Sequence, residues 1–498
     1  MCGVAGSYQA GKTEEIQAMV RHLRHRGPDG SGISQARATV LGHTRLAIID
    51  VANGQQPMKF KRCSISYNGE IYNHQELRSH YLAGEPFRTH TDTETILRLY
   101  ARFGPSSVEM LDGMFAIAIA DGDSLFLARD PLGIKPLYTG ARGDALYFAS
   151  EIKALAGITE DIQEFPAGHW FHSQIGMHRY YQLDGRARPA NDFAEPAQAA
   201  PVLREVLHAA VQKRLMSDVP LGVSLSGGLD SSIISLLARE LLDRLDSFAV
   251  GMEGSADLTA AREVADYLGT RHHEYQYTEQ DMLAALPDVL YQLESFDPAL
   301  VRSAIPNYFL ARLASQHVKV ILGGEGADEL YAGYVYLGAI RDADALQTEL
   351  VTITGQLHNT NLQRADRMTM AFGLEMRVPF LDVASVGFAL GLPCGWKLHL
   401  PARREKALLR DAFAGALPQH IIDRPKEKFS KGAGSSETIS RIADDCVSDS
   451  DIVTERARLS AEWGYQLPGK EALYYYRILH QAYDDKWIMP TMGSSRSI

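Results

Sequence analysis

The 498-residue chain is predicted to fold into two parts, an α+β part built on antiparallel sheets and then an α/β part built on a parallel sheet. Three observations predict this. The early chain alternates short apolar runs with Gly, Asn and Asp turns. The later chain repeats apolar strand, glycine loop and helix, the rhythm of a parallel sheet. Between them, residues 184–201 are polar and rich in Ala and Pro, which is typical of a linker.

The elements of the first part follow from local patterns. Short apolar runs predict strands at residues 46–49, 115–120 and 146–149. A helix is predicted after the cap-like Thr91, because Ile96, Leu97 and Tyr100 recur on one helical face. In the second part, residues 221–225, 247–250 and 318–322 are predicted to be buried strands separated by helices.

Composition excludes several classes of partner. The net charge of −11 argues against nucleic acid or an anionic membrane surface. No signal peptide opens the chain, and no apolar run reaches the roughly 18 residues that a membrane span requires. The four cysteines form no CxxC pair, so neither a disulfide framework nor a zinc site is indicated. We expect a soluble, cytoplasmic protein that acts on small molecules, with a homodimer left open.

Cys2 is the first candidate functional residue. Once Met1 is removed, its thiol lies beside a free α-amine. That amine has a pKa of about 7.7–8.0 against about 8.5 for a thiol, so it can accept the thiol proton. N-terminal nucleophiles use this arrangement. Judged by position alone, an inert buried cysteine is the commoner case, so the residues that follow decide the interpretation.

Those residues supply what hydrolysis of a glutamine side chain requires. Such a site needs a clamp for the α-carboxylate, an anion for the α-ammonium and donors for the tetrahedral oxyanion. Arg45 suits the carboxylate because a guanidinium binds it in bidentate fashion. Asp92 suits the ammonium. The amide of Asn68 and the adjacent N–H of Gly69 can bind the oxyanion.

Eight motifs in order cover residues 1 to about 155: MCGVAG, RHRGPDG, HTRLAIID, NGEIYN, TDTE, LDGMFA, ARDPLGIKPLY and FASEIKAL. On these motifs the chain strongly resembles the class II glutamine amidotransferase domain of the asparagine synthetase B family. The resemblance implies an Ntn-hydrolase-type sandwich of antiparallel sheets with helices over residues 1–190. It implies the following roles: Cys2, Asn68 and Gly69 as catalytic residues, and Arg45, Asn68, Glu70 and Asp92 as glutamine ligands.

Residues 6–13, GSYQAGKT, match the GxxxxGK[ST] pattern of a phosphate-binding loop only formally. A genuine loop of this kind follows a buried parallel strand. Only five residues precede the match, and they already contain Cys2. We interpret the segment as a hairpin connection and place the nucleotide elsewhere.

The stronger nucleotide signal is SGGLDSS at residues 226–232, between a predicted strand and a predicted helix. Glycines let the backbone approach phosphate oxygens, and Ser hydroxyls with helix N-terminal N–H groups bind them. The loop lacks lysine, which fits a site that holds the β,γ-pyrophosphate and leaves the α-phosphorus open to attack. Asp230 in this loop favours Mg²⁺, since carboxylates beside phosphates usually bind it.

SGGLDSS resembles the pyrophosphate loop of the ATP-pyrophosphatase superfamily. SFAVGM, GGEGADELYAGY, LEMRVPFLD, REKALLR and RPKEKFSKGAG also resemble the synthetase domain of the asparagine synthetase family. The resemblance implies an α/β parallel-sheet nucleotide-binding domain with additional helices over residues 200–498, with ATP and Mg²⁺ bound. The implied ATP ligands are Leu225, Ser226, Gly227, Gly228, Asp230, Ser231, Val250, Gly323, Gly324 and Lys426. The implied metal ligands are Asp230 and Asp328. Glu325 is implied to deprotonate the attacking nitrogen.

Together the two halves imply a glutamine-dependent asparagine synthetase that makes asparagine, glutamate, AMP and pyrophosphate. Its implied acceptor ligands are Arg302, Glu325 and Asp328, and Arg26 and Met114 are implied to line an ammonia tunnel. Where the enterobacterial-type enzymes of the family have two adjacent threonines in the acceptor pocket, this chain has Ala299 and Leu300. Amidation of another carboxylate is therefore an alternative to aspartate. A binding protein without turnover is a third reading, disfavoured by the intact catalytic set.

Overall fold

The computed structural model describes residues 2–9, 12–185, 193–399, 404–426, 429–434 and 436–493. We call the described residues up to 185 the N-terminal part and those from 193 the C-terminal part. Residues 186–192 of the predicted linker lie outside the described residues. From residue 196 the predicted linker is the start of a helix, with a proline in its first turn.

The N-terminal part contains two six-stranded antiparallel sheets, ordered β10-β8-β9-β1-β3-β2 and β12-β11-β7-β6-β5-β4, which confirms the predicted architecture. Its strands are β1 (Cys2–Tyr8), β2 (Gly30–Ala36), β3 (Thr39–Arg45), β4 (Met58–Phe60), β5 (Cys63–Ile71), β6 (Gly113–Asp121), β7 (Ser124–Arg129), β8 (Tyr138–Arg142), β9 (Ala145–Ala149), β10 (Asp161–Glu164), β11 (His169–His172) and β12 (Gly176–Arg179). Its helices are α1 (Thr13–His22), α2 (His74–Tyr81) and α3 (Asp92–Phe103), with 3-10 turns at Arg24–Arg26, Gly104–Met110 and Ile152–Ala154.

The alternation of small and large side chains along β6 explains how the two sheets stack. Ala116 and Ala118 pack with Val4 of the facing sheet, whereas Ile117 and Ile119 belong to the core under α3. Successive side chains of a strand point to opposite faces, so small residues meet the other sheet and large ones meet the helix. The result is a helix–sheet–sheet–helix sandwich.

Local predictions for this part have mixed outcomes. The strands at 115–120 and 146–149 and the helix capped by Thr91 are confirmed. The strand at 46–49 is wrong, because β3 ends at Arg45 and Leu46 leaves the sheet to pack with Val320 and Met370. The GSYQAGKT segment starts inside antiparallel β1 and ends where α1 begins, so it joins a strand to a helix and is neither a hairpin nor a phosphate loop. Residues 10 and 11 lie outside the described residues.

The C-terminal part contains a parallel sheet ordered β15-β14-β13-β16-β17, as predicted. Its strands are β13 (Leu221–Ser224), β14 (Asp246–Gly251), β15 (Arg271–Gln276), β16 (Val320–Leu322) and β17 (Glu375–Arg377). Its helices are α4 (Pro196–Lys213), α5 (Leu229–Leu241), α6 (Ala256–Leu268), α7 (Glu279–Leu293), α8 (Pro298–Ala314), α9 (Ala327–Leu330), α10 (Ala343–Gly355), α11 (Asn361–Met370), α12 (Val383–Gly391), α13 (Cys394–Lys397), α14 (Ala407–Ala412), α15 (Gln419–Ile422), α16 (Phe429–Gly432), α17 (Ser436–Cys446), α18 (Asp449–Trp463), α19 (Lys470–Leu479) and α20 (Asp485–Ile488). Further 3-10 turns are Val335–Ala339, Leu357–Asn359, Pro379–Leu381 and Met489–Thr491. None of the helices that the structure describes has the length and apolar character of a membrane span.

Buried charges join the two parts. Arg26 is fully buried and donates to Glu151 at 2.6 Å and to Asp366 of α11 at 2.8 Å. Arg367, one residue on, donates to the Ser150 carbonyl oxygen of the N-terminal part at 3.1 Å and to Glu294 at 2.9 Å. Breaking a buried pair by removing one partner typically costs 3–5 kcal/mol, because a charge is left uncompensated. The network therefore holds α11 against the N-terminal part.

A second contact between the parts predicts acid sensitivity. Glu164 of β10 accepts from Arg129 at 2.7 Å and lies 2.8 Å from His358. Burial opposes ionisation, yet Arg129 and His358 lower the pKa of Glu164 to about 2. Its unfolded pKa is about 4.3, so its stabilising effect is complete above pH ~5 and disappears as the pH falls through about 2. We expect these contacts of Glu164 to contribute about 3 kcal/mol to the free energy of unfolding at pH 7 and about half of that at pH 3.

The measurement is urea unfolding of wild type and Glu164→Gln across this pH range. The matched control is Glu160→Gln, since Glu160 is 79% exposed and pairs with Lys486 at the surface. A surface pair of this kind contributes roughly 0–1 kcal/mol. A stability difference between wild type and Glu164→Gln that does not narrow towards pH 3 would contradict the assignment.

Candidate active sites

The first site lies at the start of β1. Cys2 is 7% exposed and pairs directly with Arg45 in the antiparallel ladder. Its backbone N–H donates to Oδ1 of Asn68 at 2.9 Å. Burial raises the pKa of the Cys2 thiol, so the thiol is protonated at neutral pH and needs a base. After removal of Met1 the nitrogen held by Asn68 is the α-amine, so the fold holds that base at the site.

Asn68 also presents a donor. Because its Oδ1 accepts from Cys2, its other amide atom is Nδ2, which is buried and has no hydrogen-bond partner in the part of the chain that the structure describes. Gly69 follows with φ of 154°, and a Cβ there would lie 2.0 Å from the Met114 carbonyl oxygen. Only glycine fits that position. A buried, unpaired amide donor is suited to a developing oxyanion.

The predicted glutamine ligands are held by other groups of the same part. The Arg45 guanidinium donates to the carbonyl oxygens of Asp50 at 2.8 Å and Val51 at 2.9 Å, which orient it. Asp92 opens α3 and accepts from Tyr67 Oη at 2.8 Å and Ile71 N at 2.9 Å. Arg45 and Asp92 are both buried. The structure thus places a cation and an anion in the same buried part of the chain as Cys2.

The sequence did not single out Glu375 and Arg377 of β17, which reach this site from the C-terminal part. Arg377 binds Glu375 at 2.5 Å and lies 3.5 Å from Glu70. Burial, followed by the charges of Glu375 and Asp92, raises the pKa of Glu70 well above its ordinary value. This shift favours the neutral form of Glu70. The sequence feature that could have indicated these two residues is the presence of two charges in a three-residue buried strand, because buried charges need partners.

The second site is a cavity of about 530 Å³ beside the carboxyl ends of β13, β14 and β16. Open α/β sheets bind ligands at such ends. The predicted residues in its wall are Leu225, Ser226, Gly228, Asp230, Ser231, Val250, Gly324, Glu325, Asp328 and Lys426. Two predicted ATP ligands, Gly227 and Gly323, are not among the described residues of the wall. Gly227 has φ of 68° in the turn, and the Gly323 N–H donates to Arg377 O at 2.9 Å.

Four charges meet in this cavity. Lys406 lies 2.6 Å from Asp230 and 2.6 Å from Asp328, and Lys426 also pairs with Asp328. Burial favours the neutral acid, yet Lys406 and Lys426 hold the pKa of Asp328 below its ordinary value. Lys406 was missed as a site residue, although it lies in the quoted REKALLR motif. Nothing local to that motif shows that its lysine reaches residues 230 and 328.

The acceptor residues separate in the structure. Glu325 lies in the cavity wall and binds Arg364 of α11 at 2.8 Å. Arg302 is not among the described residues of that wall, because its Nε donates to Glu471 at 2.7 Å and its Nη2 to Ser440 at 3.1 Å. The structure therefore does not bring Arg302 together with Glu325 and Asp328.

Glu329 is a further cavity group that the sequence did not indicate. Its Oε1 accepts from Tyr334 at 2.5 Å and from Asn361 at 3.1 Å. Burial and the neighbouring charge of Asp328 raise the pKa of Glu329 to about 7. This carboxyl lies beside the residues predicted to carry the chemistry.

The fold and the two sites define an amidotransferase that joins an N-terminal thiol site to an ATP-type synthetase cavity. Family models match it: a glutamine amidotransferase domain over residues 1–174 and asparagine synthase over residues 202–341 and 336–487. A probable glutamine-hydrolysing asparagine synthetase of Schizosaccharomyces pombe is 40% identical over 96% of this chain and 93% of its own. Asparagine synthetase B of Escherichia coli is 40% identical over 96% and 90%. The chain belongs to the glutamine-hydrolysing asparagine synthetase family.

The unpaired amide of Asn68 predicts the effect of its removal. In Asn68→Ala we expect glutamine hydrolysis to slow by about 10²–10³-fold in kcat, the effect of losing one oxyanion donor. Glutamate release in the absence of ATP measures this. Asn73→Ala is the matched control, since the Asn73 amide bridges the backbone of Met110 and Asp112. Equal rates for wild type and Asn68→Ala would remove Asn68 from the oxyanion site.

Proposed function

We propose that this chain hydrolyses glutamine at Cys2 and transfers the ammonia to an acyl-adenylate of aspartate, with residues 1–190 as the glutaminase part and 200–498 as the synthetase part. The observation that carries the proposal is the buried network at Arg26. The Arg26 guanidinium donates to the Cys2 carbonyl oxygen at 3.0 Å and to Asp366 at 2.8 Å. Asp366 lies on α11, the helix whose Arg364 lines the synthetase cavity. One network thus links both sites.

In the first half-reaction the α-amine takes the Cys2 thiol proton, and the thiolate attacks the amide carbon of glutamine. Asn68 Nδ2 and the Gly69 N–H stabilise the oxyanion. Arg45 binds the α-carboxylate and Asp92 the α-ammonium, while the neutral Glu70 can donate a hydrogen bond. The α-ammonium group of Cys2 then gives its proton to the leaving nitrogen, so ammonia leaves and a thioester remains. Water hydrolyses the thioester to glutamate and restores the thiol.

In the second half-reaction the Ser226–Ser231 loop residues hold the ATP phosphates, with the adenine near Val250. The acceptor carboxylate attacks the α-phosphorus and pyrophosphate leaves towards Lys406 and Lys426, whose charges stabilise it. Ammonia then attacks the acyl carbon, Glu325 takes its proton, and AMP leaves.

Mg²⁺ belongs to this proposal, held by Asp230 and Asp328. Both carboxylates lie within 2.6 Å of the same Lys406 ammonium, so they are close enough to share one cation. Among the described residues no group of three or more acidic, His or Cys side chains forms a metal site. Phosphate oxygens would therefore complete the coordination, as is usual for Mg²⁺. When bound, the ion would neutralise phosphate charge.

The remaining partners are small molecules, and we propose a cytoplasmic reaction without nucleic acid. The four cysteines are free thiols, as in a reducing compartment. Ammonia would cross the interface near Arg26 and the buried Met114, whose core cluster continues into the C-terminal part.

The donor site is tested by Cys2→Ala. We expect loss of glutamine-dependent synthesis and retention of synthesis from ammonium, because the cavity chemistry does not use the thiol. Asparagine formed from each nitrogen source is the measurement. Cys63→Ala is the control, since Cys63 contacts Asp121 in β6 and lies in the N-terminal core. Glutamine use by Cys2→Ala would contradict the proposed nucleophile.

The whole reaction is tested with amide-¹⁵N glutamine, ATP and aspartate in excess unlabelled ammonium. Mass spectrometry should find labelled asparagine with AMP and pyrophosphate in equal amounts. Strong dilution of the label at saturating glutamine would exclude an enclosed ammonia path.

The second candidate function is amidation of another carboxylate. Ala299, in place of an expected threonine, lies in the cavity wall. AMP release from a panel of carboxylates separates the candidates, and a faster acceptor than aspartate would favour this one.

A further inference from the structure

Arg364 of α11 has a buried donor without a partner among the described residues. It lies in the cavity wall and is only 5% exposed. Its Nη2 donates to Glu325 Oε1 at 2.8 Å, whereas its Nε is buried and has no hydrogen-bond partner among the described residues. A buried donor without a partner is costly unless a ligand pairs with it.

The chemistry of that donor indicates the ligand. A guanidinium offers donors in a planar fork that matches a carboxylate, and it keeps its charge at any physiological pH. In the ligand-free cavity one arm of the fork binds Glu325. Because Glu325 is the proposed base, an arriving carboxylate that takes over Arg364 would release the oxygen that must accept a proton from ammonia.

Arg302, the arginine that the sequence suggested, is differently placed. Ala299, Ser303 and Asn307 recur every four residues along α8 and all line the cavity. At 3.6 residues per turn, Arg302 is turned about 100° from Ser303. Its guanidinium is bound by Glu471 and Ser440, so it faces α17 and α19.

We propose that Arg364 binds the non-reacting carboxylate of the acceptor, so that the acceptor is a dicarboxylic acid, and that this exchange uncovers Glu325. The inference rests on the proposed function and specifies its acceptor site. Arg364 is the specificity-determining residue. A monocarboxylic acceptor leaves Arg364 on Glu325 and is amidated poorly.

The test compares aspartate with 3-aminopropanoate, which keeps the reacting carboxylate and the ammonium but lacks the second carboxylate. Pyrophosphate release with ammonium as nitrogen donor gives kcat/KM for each. In Arg364→Met we expect kcat/KM for aspartate to fall about 100-fold, the effect of removing one partner of a buried charged pair. The value for 3-aminopropanoate should change little, so the preference for aspartate collapses.

Arg364→Lys keeps the charge but loses the fork, so its preference should lie between those of wild type and Arg364→Met. The matched control is Arg302→Met, the same change on α8, which should leave the preference as in wild type. Glutamine hydrolysis at Cys2 reports in each preparation that the chain is folded.

The inference is overturned if Arg364→Met lowers kcat/KM equally for aspartate and 3-aminopropanoate. It is also overturned if the preference for aspartate collapses in Arg302→Met instead. Wild type that releases no pyrophosphate with aspartate would contradict the proposed function, which is a separate result. Where turnover of 3-aminopropanoate is slow, its inhibition constant against aspartate replaces kcat/KM, and the same shift in preference is expected.

Discussion

The buried Arg26 guanidinium contacts the nucleophile and the synthetase part at once. It donates to the Cys2 carbonyl oxygen at 3.0 Å, to Glu151 at 2.6 Å and to Asp366 at 2.8 Å. A fully buried cation is tolerated only with such partners, and separation of the two parts would leave Asp366 without Arg26 as its partner. The two parts are therefore held in one relative position, on which the distance between the two sites depends.

Helix α11 carries this constraint into the second site. Asp366 and Arg367 lie against the N-terminal part. Arg364 and Asn361 face the cavity and contact Glu325 and Glu329. Residues three and four apart share a face of a helix, so neighbouring turns can serve different surfaces. One short helix thus positions groups for two reactions, and movement at either site is opposed by the same ion pairs.

The two sites differ in the charges that their buried residues carry. At the Cys2 site burial raises the pKa of the thiol and of Glu70, which favours their neutral forms. Attack there creates an oxyanion, which a few oriented donors stabilise well at low dielectric. The synthetase cavity instead collects paired charges, with Lys406 shared between Asp230 and Asp328. In the proposed reaction a triphosphate brings its own negative charge to this cavity, and the ammonium groups of Lys406 and Lys426 would stabilise it.

The sequence by itself determined the SGGLDSS turn between β13 and α5 and the antiparallel-then-parallel order of sheets, and it predicts Cys2 as the nucleophile. These depend on periodicity and on turn residues within a few positions of each other. Only the tertiary structure decided that Leu46 leaves its strand to pack with Val320, that Lys406 reaches Asp230, and that Arg302 turns to Glu471, 169 residues away. The partner of a buried charge is chosen by long-range packing, which no local pattern encodes.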